Sequence, residues 1–159
     1  MDEQVVKQKV LNIDLSNLSK QKVIVDNDEN RVLYIDVADM NVVVRLKEKL
    51  DTLQQLQASA IEELATKQSD DMETINTIAK KLKEIDTTMR EALDYIFDAN
   101  VSEVCAPSGN MFDFINGRAR YEIVFDALMQ LYDDNISAES KKIEKRVNNN
   151  KHTQKYVKK

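Results

Sequence analysis

The chain has 159 residues and a formal net charge of −5, with 42% hydrophobic and 32% charged positions. That length and apolar share support one domain with a buried core and exclude a fully disordered chain. A single cysteine, Cys105, excludes an internal disulfide and fits a reducing compartment, and every apolar run falls short of the ~20 residues a membrane-spanning helix needs.

Glycine and proline occur only at Pro107, Gly109 and Gly117. Sharp bends are therefore scarce, and long helices with few connections are expected. In chain order, the first eight residues fray. Leu11, Ile13 and Leu15 then alternate with Asn12, Asp14 and Ser16, a period-two pattern that predicts a half-buried strand. Residues 22–36 read as a hairpin: Val23 and Val25 share one face with Leu33 and Ile35, Val32 and Tyr34 face away, and Asp26 to Asn30 supply the turn. Residues 1–38 thus make a small N-terminal β element, a hairpin or meander.

Asp36 or Asp39 caps a helix over 39–68, with Val43, Leu46, Leu50, Leu53, Ala60 and Leu64 as its stripe and Gln57 interrupting it. The stripe fails at 65–71. Ser69 or Asp70 can cap a new helix there, and Asp70 with Glu73 has capping-box spacing, so a break is favoured over one unbroken helix from 39 to 98. The helix over 70–99 has the clearest pattern: Ile75, Ile78, Leu82, Ile85, Met89, Ala92 and Ile96 follow 3-4 spacing without a fault. Such a seam demands a partner helix, first of all the 39–68 helix of the same chain.

Residues 100–117 read as a loop. Val101 to Cys105 adds a helical turn, Pro107-Ser108-Gly109-Asn110 turns the chain, Met111, Phe112, Phe114 and Ile115 form an apolar knot, and Asn116-Gly117 is a turn or a helix C-cap. The helix over 118–147 buries Tyr121, Val124, Phe125, Leu128, Leu131 and Tyr132, and Ile136, Ile143 and Val147 extend it thinly. Residues 148–159 are expected to be a disordered basic tail. The fold class is mainly α, with a small N-terminal β element, a helical hairpin or bundle over 39–147, and a long C-terminal helix.

No reaction is written in the residues. Asp26-x-Asp28-x-Asn30 begins like a calcium loop, but Arg31 stands where glycine belongs and Val37 where the bidentate glutamate belongs, so a polar turn is expected. His152, the one histidine, lies in the tail far from Cys105, which is expected to be inert. No phosphate-binding glycine pattern occurs, and catalytic residues, metal ligands and cofactors are all expected to be absent. Charge is uneven: residues 141–159 carry eight Lys/Arg against one acid, +7, which leaves −12 on the first 140. Lys141, Lys142, Lys145, Arg146, Lys151, Lys155, Lys158 and Lys159 make an electrostatic tail for an acidic surface or, as a weaker reading, for nucleic acid. The acidic body disfavours nucleic acid and anionic membranes. Candidate protein-binding residues are those of the seam and the knot: Ile75, Ile78, Leu82, Ile85, Met89, Ile96, Met111, Phe112, Phe114 and Ile115.

The layout also carries a resemblance. A short hairpin leads through Ile35-Asp36-Val37-Ala38-Asp39-Met40-Asn41 into a helix bearing Arg45. Long helices, a Gly109-Asn110 loop running into Phe112, a helix with Tyr121 and Phe125, and a Lys151–Tyr156 tail follow. This arrangement resembles the tail assembly chaperones of long-tailed bacteriophages and prophages. The resemblance implies a non-enzymatic, self-associating protein of the host bacterial cytoplasm. It would coat the tape-measure protein and recruit tail-tube subunits before leaving the finished tail. A coiled-coil adaptor and a nucleic-acid-binding regulator using the tail are the rival readings.

Overall fold

The computed structural model describes residues 8–15, 18–65 and 71–157. It is mainly helical, with a hairpin of β1 (Lys20–Val25) and β2 (Asp28–Asp36) followed by α1 (Asn41–Ala65), α2 (Met72–Phe97), α3 (Val101–Cys105), the two-residue strands β3 (Phe114–Ile115) and β4 (Arg118–Ala119), and α4 (Arg120–Val157).

The first hairpin pairs antiparallel with Val23 opposite Leu33 and Gln21 opposite Ile35. Its turn is tighter than the five-residue connector expected. Asp26 and Asn27 both take left-handed dihedrals, which Asx residues tolerate, and a bulge between Ile24 and Val25 absorbs the surplus residues of β2. Leu33 and Ile35 are buried and Val23 and Val25 pack against them, whereas Ile24 and Tyr34 face outward. The calcium-like residues are spent locally: Asp26 pairs with Arg31 at 2.6 Å, and Asp28 accepts the Asn30 amide. The strand expected over 11–15 does not form. That segment is irregular and exposed, and no strand among the described residues pairs with it.

Asp39 caps α1 by accepting the Asn41 amide. The stripe of α1 keeps Leu46, Leu53 and Ala60 as expected, but Val42 is buried in place of Val43 and Leu56 packs on the core while Leu50 is exposed. Three consecutive valines, 42–44, leave the phase of a 3.6-residue pattern undetermined, and packing selects it. Leu64 has no described side chain. The chain breaks between α1 and α2 as expected, and the two pack as an antiparallel hairpin. Neither Ser69 nor Asp70, which lie outside the described residues, supplies the described cap of α2. Asp71 does, by accepting the Glu73 amide.

The α2 seam faces inward. Ile78, Ile85, Met89, Ala92 and Ile96 are buried with Leu93 and Phe97, so its partner is the chain itself. α4 closes the core through Tyr121, Leu128 and Tyr132. The Phe97 ring lies 5.9 Å from that of Phe125 and 6.2 Å from that of Tyr132. Asn135 donates to the Val37 carbonyl, and from Ile136 to Asn150 every side chain of α4 is exposed. The tail expected to be disordered from 148 is helical to Val157. Asn148-Asn149-Asn150 are weak helix formers but not breakers, and lysines near a helix C-terminus favour its dipole.

Candidate protein-docking surface

The apolar knot lies between α3 and α4, and arginines hold the frame beneath it. α3 has only five residues, so most of its carbonyls lack intrahelical partners. A guanidinium offers five N–H donors in a planar fork, which suits converging carbonyls. Arg90 on α2 donates to the carbonyls of Ser102 at 3.3 Å, Ala106 at 2.9 Å and Gly109 at 2.6 Å. Its Nε pairs with Asp86 one turn earlier at 2.8 Å. The other oxygen of Asp86 accepts the Met111 amide at 2.7 Å. One ion pair thus joins α2, α3, the turn and the root of the knot. Arg31 from β2 donates to the Val104 and Cys105 carbonyls, and Arg120 from α4 donates to Cys105 as well. At the foot of α1, Arg45 bridges Asp39 and the Ile96 carbonyl.

The loop itself is a closed set of hydrogen bonds. Asp113 accepts from the Asn110 amide and from Arg120, Asn110 accepts the Phe112 amide, and Tyr121 donates its amide to the Met111 carbonyl. Gly109 sits close to the frame: a Cβ there would lie 2.9 Å from an Asp113 oxygen and 3.2 Å from an Arg120 nitrogen, so those two side-chain ends would have to shift. β3 and β4 then form a second hairpin that the sequence pattern did not reveal. Asn116 (φ 51°) and Gly117 (φ 80°) make its two-residue turn.

This frame divides the knot. Met111 and Phe112 point inward at 0% and 7% exposure, and the Phe112 ring lies 5.2 Å from that of Tyr121. Phe114 and Ile115 point outward at 59% and 37% exposure. Phe114 shares the rim of a hollow of about 200 Å³ with Ala60, Leu82, Asn110, Phe112 and Asp113. Of the sequence candidates, Leu82 and Phe114 line this hollow over the buried Phe112, and Ile115 is exposed beside Phe114. Ile78, Ile85, Met89, Ile96 and Met111 are core residues instead. Ile75 is exposed, but lies about 10 Å further along α2 from Leu82. The frame residues Asp86, Arg90, Asn110, Asp113 and Arg120 were not found from sequence. The Asp86/Arg90 spacing of four beside an apolar seam was the one available signal.

Of the basic tail, Lys141, Lys142, Lys145 and Arg146 are exposed on α4, and Lys142 pairs with Glu139. Lys151 and Lys155 continue the helix, and Lys158 and Lys159 lie outside the described residues. Cys105 is buried at the end of α3, and burial pushes its thiol up to about 11, so the reactive thiolate is scarce at neutral pH. Among the described residues no group of three or more His, Cys, Asp and Glu is placed to hold a metal ion, and no helix is long and apolar enough to cross a membrane. Compared with known proteins, the chain matches no family model, and no curated protein or solved structure resembles it at a significant level.

Proposed function

We propose that this protein is a non-enzymatic assembly chaperone that docks onto other proteins through the tip at Phe114 and Ile115. The observation that carries the reading is one large aromatic and one β-branched side chain displayed on a short hairpin whose root is fixed by Asp86, Arg90 and Arg120. A preorganised apolar tip beside a shallow hollow loses little conformational entropy on binding, which suits reversible protein contact. Taken with the resemblance in layout, the proposed partners are the tape-measure and tail-tube proteins of a tailed phage or prophage, met in the host cytoplasm, with self-association of the chaperone.

The test is co-expression with the product of a long helical reading frame beside its gene. The expected result is a soluble complex that the variant Phe114→Ser/Ile115→Ser fails to form. A complex that survives both substitutions would overturn the assignment of the tip. A second reading, a coiled-coil adaptor, draws on the exposed Ile136, Ile143 and Val147 of α4. For that reading, Ile143→Asp abolishes partner binding while the tip variant leaves it intact.

A further inference from the structure

The sheet of β1 and β2 has one edge covered and one open. β2 lies against α3, with Arg31 reaching the Val104 carbonyl. Among the described residues β1 pairs with β2 alone, so a row of its N–H and C=O groups faces away from the ladder. Beside that edge is an open hollow of about 650 Å³, lined by Lys20, Gln21 and Lys22 of β1, by Val37, and by Asn135 and Glu139 of α4. It has a strand edge on one side and a helix on the other.

The same chain carries a segment that fits such a slot. Val10, Leu11, Ile13 and Leu15 are 68–89% exposed, and Leu18, at the hollow's rim, is 78% exposed. Leu11, Ile13 and Leu15 alternate with polar residues, the pattern of a strand with one buried face. The segment therefore does not lie against its own β1, although it has a strand's chemistry.

We propose that residues 10–15 of one copy add as a third strand to the open edge of β1 in a second copy. Alternation would set Leu11, Ile13 and Leu15 beside Val23 and Val25, extending the apolar face of the sheet. Lys9, just before the segment, is opposite in sign to Glu139 of the hollow. Area also favours a second copy. The three side chains of the buried face, at roughly 100 Å² each and counted with the surface they cover in a reciprocal exchange, come to roughly the 1,000 Å² a stable interface needs. Donor strand and acceptor edge both belong to this chain, so a reciprocal exchange between two copies closes as a symmetric pair. The inference rests on the self-association in the reading above but not on its tip, so it can fail while tip docking stands.

Two measurements on the full chain test it. Sedimentation should give a dimer for the parent chain and a monomer for Ile13→Asp, with helical circular dichroism unchanged because Ile13 is outside the core. A bismaleimide added to a mixture of Asn12→Cys chains and Lys22→Cys chains should then link one chain to the other, and the parent chain, with its buried Cys105, should give no such product. A monomeric parent, an Ile13→Asp variant that still dimerises, or linkage found only within a chain carrying both cysteines would overturn the proposal.

Discussion

The two ends of the α1–α2 hairpin are built differently. At the end that holds the start of α1 and the finish of α2, Val42, Met89, Leu93, Ile96 and Phe97 are at most 5% exposed, and Arg45 and Arg90 bind carbonyls around them. At the other end Ile61, Met72 and Ile75 are 44–68% exposed, and polar contacts there include a cap at Asp71 and the Lys81–Glu63 pair. Similar helix sequences thus make a rigid frame where a hairpin, α3 and α4 cover them, and a half-open pair of rods where no other described element does. Stability arises from what covers a helix more than from the helix itself.

Substitutions at the two ends should separate sharply. The largest effect is expected from Met89→Ala, which opens a cavity among fully buried neighbours. Chemical denaturation should show a loss of about 2–5 kcal/mol, against less than about 0.5 for Ile75→Ala at the open end. Equal losses would erase the distinction. Next comes Arg90→Ala, which strands the Asp86 carboxylate and three carbonyls and should cost about 3 kcal/mol. Arg90→Lys should recover little of it, because an ammonium cannot span the same fork. Full rescue by lysine would mean that charge alone matters there. A smaller effect than Arg90→Ala is expected from Asp71→Ala, about 1 kcal/mol from a lost N-cap, with hydrogen exchange faster only in the first turns of α2.

Much of this contrast is written locally and part of it is not. The α2 seam was legible because 3-4 spacing over Ile78, Ile85, Met89 and Ile96 depends on neighbours in sequence. So were the first hairpin, the turn of helix at Val101–Cys105 and the break before α2. The burial of Val42 rather than Val43 was hidden by three adjacent valines, whose phase only packing decides. The arginine frame was hidden because its bonds span long separations, such as Arg31 to the carbonyl of Val104, and a carbonyl acceptor leaves no mark in the side-chain sequence. The knot was found but not its division, because Met111, Phe112, Phe114 and Ile115 are alike in apolarity. Which of them face outward is decided by the Asp86–Met111 bond and the Asn116-Gly117 turn. The segment at 11–15 has a strand's alternation without a strand's neighbour, a condition sequence alone does not report.

The central claim is that five consecutive residues are divided between frame and surface. Denaturant unfolding of two double variants tests it most directly. Phe114→Ser/Ile115→Ser should unfold within about 0.5 kcal/mol of the parent chain, whereas Met111→Ala/Phe112→Ala should lose at least about 4 kcal/mol, each residue leaving a cavity in the core. A tip variant as damaged as the root variant, or a root variant as stable as the parent, would contradict the division.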